Sequence, residues 1–238
     1  VPDNGDHFVM GDRFRTCDSF SDDDFKARQR FSISQLIKNG ITTALPITGE
    51  SYYEWNFSKR ECDIMVDVAR EMGLRMYLGP SFKSRVLANS KDDKKREKRS
   101  LDEVYAFAKE HPRNDDALIN TLINPCQIAV TSLDTLKQMA YFAQENGFPY
   151  RLHACEAIRE WNHTLPRYGA TTIELLNREG MLYNQFIIPH GITVTNNELK
   201  ILAETKTTIV NTPLADTNFA TALFAFDKYK YSANRHDS

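Results

Sequence analysis

The chain has 238 residues, 41% hydrophobic and 26% charged, with a formal net charge of −2. That length can bury the core of a single α/β domain, and the near-neutral charge gives no electrostatic case for nucleic acid or an anionic membrane. No apolar stretch approaches the ~20 residues of a membrane span. Val1-Pro2-Asp3-Asn4-Gly5-Asp6 has neither the basic start nor the apolar middle of a signal peptide, and the absent initiator Met reads Val1 as a non-native start. Cys17, Cys62, Cys126 and Cys155 are widely spaced without a CxxC pair, as expected of reduced thiols in a cytoplasmic protein.

The elements alternate. Ser21 caps a helix opening on Asp22-Asp23-Asp24, whose acids suit its positive N-terminus; it runs through Ile33, Leu36 and Ile37 and stops at Gly40. Ile41 to Leu45 is a β-branched strand ended by Pro46. Lys59 to Met72 places Cys62, Met65, Ala69 and Met72 on one helical face, with Gly73 as terminator. Arg75 to Leu78 is a strand closed by Gly79-Pro80. Leu101 to Glu110 is a short helix, and Ala117 to Ile123 the next strand. Ser132 caps a helix lined by Leu133, Leu136, Ala140 and Ala143 that ends at Gly147. Tyr150 to Leu152 is a strand leading into His153.

A helix near Thr171 to Arg178 then precedes the strand Phe186 to Ile188. Thr195-Asn196-Asn197-Glu198 is a capping box at the head of a helix carrying Leu199 and Leu202, and Thr208 to Val210 is the last strand. Six strands separated by helices, without hairpin signals, predict a mostly parallel sheet, either doubly wound or a (β/α)₈ barrel. No GxGxxG or GxxxxGK[ST] loop is present, so the usual reason to prefer a nucleotide-binding sheet is missing and the barrel is favoured.

Chemistry concentrates at two strand ends. Leu152-His153-Ala154-Cys155-Glu156 places a histidine just past an apolar run, with a carboxylate three residues on. Ile187-Ile188-Pro189-His190-Gly191 repeats the placement 37 residues later, a typical β/α unit. In a barrel these ends converge on substrate. A His and a nearby Glu can supply a metal ligand and a proton shuttle to one water, and a second His can orient the reacting group. The bland alternatives are a loop carboxylate at Glu156 and a backbone-bonded ring at His190. His163 lies in the loop after the motif, where it reads as a substrate-side or surface residue. His7, His111 and His236 have no strand before them and read as structural or exposed. Cys126 follows a strand and could reach the barrel mouth, whereas Cys155 reads first as a small buried filler. The mixed-sign run Lys91 to Arg99 lacks interleaved aromatics and reads as a solvated loop or helix start.

Taken in order, Ile41-Thr42-Thr43-Ala44, Arg75-Met76-Tyr77-Leu78-Gly79-Pro80-Ser81, His153-Ala154-Cys155-Glu156, Pro189-His190-Gly191, and Leu202-Ala203-Glu204-Thr205 with Asn211-Thr212-Pro213-Leu214-Ala215 resemble the amidohydrolase superfamily. The branch is that of cytosine deaminase, guanine deaminase and the s-triazine chlorohydrolases and aminohydrolases. The resemblance runs from about Asp24 to about Phe226. It implies a metal-dependent (β/α)₈ barrel that hydrolyses carbon–nitrogen bonds other than peptide bonds, or displaces halide, on a small nitrogen heterocycle. On its terms His153 is the metal ligand from the fifth barrel strand and Glu156 the acid/base. His190 is the sixth-strand histidine that polarises or orients the attacked group; Cys126 and His163 are substrate-side candidates by their own placement, not by the resemblance. The implied cofactor is a divalent ion, zinc favoured over iron, which lowers the pKa of its bound water toward 7.

Two departures accompany the resemblance. The family's His-x-His pair of the first strand is absent before Ile41, where His7 stands alone. His236-Asp237-Ser238 is similar to the family's eighth-strand ending, but Lys230 to Arg235 makes a poor buried strand, so Asp237 is not expected to be that ligand. The expectation is a single barrel domain over 1–238, incomplete at both ends and covering strands two to seven. The competing expectation is a barrel-derived binding or structural protein, or an inactive fragment, without metal. Homo-oligomerisation stays open.

Overall fold

A computed structural model describes residues 21–48, 58–85, 91–218 and 224–233. His7, Cys17, His236 and Asp237 lie outside the described residues. Helix α1 (Asp22–Lys38) begins as its sequence dictates: Ser21 Oγ accepts the Asp24 N–H at 3.2 Å while the Asp24 carboxylate accepts the Ser21 N–H at 2.9 Å. Gly40 (φ +77°) closes the helix in the left-handed region, which costs least for glycine. Its inner face is thin, with Phe25 and Ile33 as the buried apolar residues. Ion pairs to α2 (Ser58–Met72) supplement that contact, among them Arg30–Glu71 at 2.8 Å and Arg60–Asp22 at 2.6 Å.

The strands are β1 (Thr43–Ala44), β2 (Arg75–Leu78), β3 (Ser81–Phe82), β4 (Ile119–Thr121), β5 (Asn124–Pro125), β6 (Tyr150–Arg151), β7 (Phe186–Pro189) and β8 (Thr208–Val210). Every pairing is parallel: β1–β2–β4, β3–β5 and β6–β7–β8, with an Ile123–Tyr150 bridge joining the β4–β5 and β6 positions. β2 and β3 are two halves of one interrupted strand, as are β4 and β5. The arc therefore holds six barrel positions in which spatial order follows chain order. A doubly wound sheet would reverse direction at a switch point, and none occurs here. Among the described residues this is an incomplete α/β barrel.

Helices α3 (Lys94–Glu110), α4 (Leu133–Asn146), α5 (Arg159–Tyr168), α6 (Thr172–Arg178), α7 (Asn196–Thr205), α8 (Pro213–Asn218) and α9 (Phe226–Ala233) complete the described chain. α4 to α7 cover the larger core, where Leu136, Met139, Ala140 and Ala143 pack against Tyr150, Leu152, Phe186 and Ile188. Tyr150 and Phe186 stack across adjacent strands at 4.8 Å between centroids. α2 covers a smaller core of Cys62, Met65, Ala69, Met76, Leu78 and Ile119. Cys62, Cys126 and Cys155 are buried. No described helix is long and apolar enough to cross a membrane.

Two elements differ from expectation. α3 starts at Lys94, not Leu101, because Asp93 caps it by accepting the Arg96 N–H at 3.0 Å, and the Lys94–Glu97 and Lys98–Asp102 pairs support its first turns. Apolar periodicity cannot register a turn built from charges. α5 has no counterpart in the sequence reading, which left its residues in a loop. Thr164 is its buried residue and Pro166 lies inside it, so no apolar stripe marks it, although Gly169 (φ +65°) closes it as a glycine stop.

Gly79, at the β2–β3 break, shows why the break is glycine. A Cβ there would stand 2.2 Å from the Leu122 carbonyl oxygen on the neighbouring strand, and that backbone is held by the Leu122 N–H donating to Leu78 O at 2.9 Å. At Gly40 nothing lies within 4 Å, so only the φ penalty of about 1 kcal/mol applies. Urea unfolding should therefore rank the two: Gly79→Ala costs at least ~2 kcal/mol and Gly40→Ala about half of that or less. Equal midpoints for the two variants would refute the steric account.

Candidate active site

Arg151 defines the inner side of the arc. Its neighbours in sequence, Tyr150 and Leu152, enter the core under the helices, so strand alternation turns Arg151 the other way. Its guanidinium crosses the interior to donate to Leu45 O (2.5 Å), Pro46 O (2.9 Å) and Asn124 Oδ1 (2.8 Å). Burial lowers its pKa to about 10. His153, two residues further on, shares that inner face. Burial, then the charges of Arg151 and His190, push the His153 ring down to about 4, so at pH 7 it is neutral.

His190 arrives differently. Along β7, Phe186 and Ile188 face the helices, and alternation would send His190 the same way. The backbone instead turns left-handed at His190 (φ +76°), a costly conformation for a residue with a Cβ, and the ring meets His153. His153 Nδ1 and His190 Nε2 stand 3.3 Å apart. On its other side His190 Nδ1 lies 2.9 Å from Asp216 Oδ1 and 2.8 Å from Thr212 Oγ1, and the Thr212 hydroxyl donates to Asp216 Oδ2 at 3.0 Å. A carboxylate only accepts, so the Nδ1 proton belongs on the Asp216 side. In the neutral ring Nε2 is then an acceptor. It takes the Nδ1 proton of His153, which leaves the His153 Nε2 lone pair uncommitted.

Glu156 is half-buried and reaches the cluster's neighbourhood through Gln127, whose Nε2 lies 3.5 Å from Glu156 Oε2. Gln127, not Cys126, is the residue bridged to His153. One extra residue is accommodated between the Ile123–Tyr150 and Gln127–His153 pairs, a bulge that re-aims the strand end. Cys126 itself is buried, with its backbone N–H donating to Phe82 O at 3.0 Å. His163 is not in a loop: it sits on α5, half-buried, its Nε2 without a hydrogen-bond partner among the described residues. Burial, then Arg167 and Arg85, lowers its pKa to about 4. His111 caps the C-terminus of α3 and packs on Phe107, a structural role. Cys155 is fully buried, and burial pushes its thiol well up.

The structure thus brings His153 and His190 together and sets Glu156 against Gln127, the residue bridged to His153; Gln127, Asp216 and Thr212 are the members that sequence reasoning missed. Thr212 preceding Pro213, with Asp216 four residues on, is a helix-start pattern that placed both at the head of α8; only the fold turns them toward His190. An imidazole with an uncommitted Nε2 suits a borderline ion such as zinc. Among the described residues no group of three or more His, Cys, Asp or Glu is arranged to hold one, so they offer His153 as a ligand rather than a closed shell.

No protein-family model matches the chain. It is 23% identical over 201 residues to the 5-methylthioadenosine/S-adenosylhomocysteine deaminase of Natronomonas pharaonis, covering 84% of this chain and 43% of that protein. It superposes on a mutant of atrazine chlorohydrolase TrzN from Arthrobacter aurescens, complexed with zinc and atraton, with a TM-score of 0.79 and 14% identity over 95% of this chain and 52% of that one. An adenosine deaminase from Xanthomonas campestris with bound zinc gives a TM-score of 0.75 and 19% identity over 96% of this chain and 48% of that one. The chain is similar in sequence and in fold to the amidohydrolase superfamily, as its motifs imply, and spans less than half the length of the curated relative.

The His153 shift has a thermodynamic consequence. The unfolded ring protonates near pH 6.5 and the folded one near pH 4, so between them the unfolded state binds the extra proton. With a chelator present, the ring's contribution is complete above pH 6.5 and is lost as pH falls toward 4. It amounts to on the order of 3 kcal/mol. His153→Asn should flatten that part of a stability-against-pH curve measured by guanidinium unfolding; an unchanged slope would mean that the ring is not desolvated.

Proposed function

We propose that the chain is a single-domain portion of a metal-dependent amidohydrolase barrel. Its reaction is hydrolytic displacement at a carbon of a small nitrogen heterocycle, with ammonia, an amine or halide leaving. The observation that carries this reading is the meeting of His153 and His190 from successive strand ends, 3.3 Å apart, with Glu156 bonded to Gln127, the residue bridged to His153. The relatives' names support the substrate class: a thioether-nucleoside deaminase, an adenosine deaminase and an atrazine chlorohydrolase all act on a heteroaromatic ring.

The residues take the following parts. His153 offers Nε2 to a divalent ion, for which zinc is favoured because two structural neighbours hold it. When bound, that ion supplies an activated water at neutral pH. Glu156 carries a proton from the attacking water to the leaving nitrogen, a task suited to a half-buried carboxylate with its own hydrogen-bond partner. His190, held by Asp216 and Thr212, stands beside the reacting group to orient it; its Nε2 is taken up by the His153 Nδ1 proton, and polarising the group requires that bond to be released. His163 and Cys126 belong to the substrate side, His163 by virtue of its unpartnered Nε2.

Metal analysis of the full-length protein tests this directly, with roughly one divalent ion per site expected. His153→Ala should strip metal and activity together. Glu156→Gln, which keeps shape but removes the titrating group, should retain the metal and lower kcat by about 10³-fold or more. A metal-free native protein, or near-native kcat in Glu156→Gln, would overturn the assignment.

A further inference from the structure

Glu160 is a buried-facing carboxylate that the chemistry above does not use. It sits in the first turn of α5, and both of its oxygens accept the backbone N–H of Cys155, at 2.9 and 3.0 Å. The Thr172 hydroxyl, at the head of α6, donates to the same carboxylate. Cys155 lies between His153 and Glu156 and is held left-handed at φ +56°, a conformation that a residue with a Cβ adopts only when its surroundings impose it.

The carbonyl side of Cys155 is equally committed. Its oxygen accepts the N–H groups of Ile192 (2.8 Å) and Thr193 (3.0 Å), and the neighbouring Ala154 O accepts that of Gly191 at 3.4 Å. These three donors follow His190 directly. The Cys155 residue is therefore the crossing point of the two loops that bear His153 with Glu156 and His190. One side is tied to Glu160, the other to the His190 loop. Gly191 has no room for a side chain, since a Cβ there would meet Tyr229 Oη at 2.7 Å and Ile209 Cγ2 at 2.8 Å.

We propose that Glu160 is a positioning residue: by clamping the Cys155 N–H it sets the left-handed turn at Cys155 and thereby fixes the separation of His153, Glu156 and His190. Its meaning for turnover rests on the amidohydrolase reading, whereas its structural consequence does not. Burial, against which the bonds from Thr172 and Cys155 act, raises the Glu160 pKa to about 7, with the charges of Glu156 and Glu198 contributing. The alternative is a carboxylate that merely caps α5 and contributes to overall stability.

Amide hydrogen exchange on the full-length protein separates these. In Glu160→Ala the amides of Cys155, Ile192 and Thr193 should exchange about tenfold faster or more, while that of Leu136 in α4 stays within about twofold of wild type. Glu160→Gln keeps an acceptor oxygen and should restore protection to within about threefold. Should the alanine variant fail to fold, Glu160→Asp, whose shorter reach also breaks the clamp, carries the same test. Unchanged exchange at Ile192 and Thr193, or a uniform loss that includes Leu136, would overturn the proposal. In a second arm, with zinc-loaded protein and 5′-methylthioadenosine as the probe, Glu160→Ala should lower kcat about tenfold with KM within about threefold, and Glu160→Gln should recover it. Wild-type protein inert toward such substrates would count against the amidohydrolase reading, while the exchange arm still decides Glu160.

Discussion

The guanidinium of Arg151 is the interaction on which the rest of the arc depends. It reaches from the middle of the strand array to the carbonyls that follow β1, more than 100 residues earlier in the chain, and to Asn124 beside it. A buried cation is costly unless its donors are satisfied; three oxygens answer Nη1 and Nη2 here, while Nε has no partner among the described residues. The same network continues through the Asn124 amide to Thr48, and from Thr48 to Gly79 O at 2.8 Å. The first three barrel positions are thus tied to the fourth through their interior, not only through the ladder. Curvature of the arc follows, because the tie shortens the inner path while the helices fill the outer one.

The rim chemistry is built on departures from regular strand geometry. A regular β7 would leave His190 among the helices, and a regular β5–β6 register would not set Gln127 opposite His153. The left-handed turns at Cys155 and His190 and the bulge before Gln127 each re-aim one side chain. Such conformations are unfavourable in isolation, typically by 1–3 kcal/mol each. They persist because bonds converge on them: Asp216 and Thr212 on the His190 ring, Val210 O on its N–H at 2.9 Å, and Glu160 on Cys155. Strain concentrated where strands end is what a reactive site on a rigid scaffold requires.

The protonation pattern follows from that geometry. Asp216 directs the proton on His190, His190 directs the one on His153, and the result is a single lone pair pointed into the interior. This is an ordering of donors and acceptors along a line, and it needs a low-dielectric setting to be decisive. The outward core supplies it, since Leu152, Ala154 and Ile188 seal the site from the helix side.

Much of this protein was legible in the amino-acid order. Six strand signals, the capping of α1, α4 and α7, and the histidines of the two strand ends could be read because each is local: β-branched runs, cap side chains and glycine stops act within one turn or one strand. Charged helix starts such as Lys94 and stripe-poor helices such as α5 escaped, because their signals are electrostatic or tertiary rather than apolar. The sequence by itself determined which residues could do chemistry and that they sit at successive strand ends. Only the tertiary structure decided that His190 turns inward, that Asp216 and Thr212 stand behind it, and that Glu160 reaches Cys155. Those contacts join residues that are neighbours only once parallel strands lie side by side, a relation no local pattern encodes.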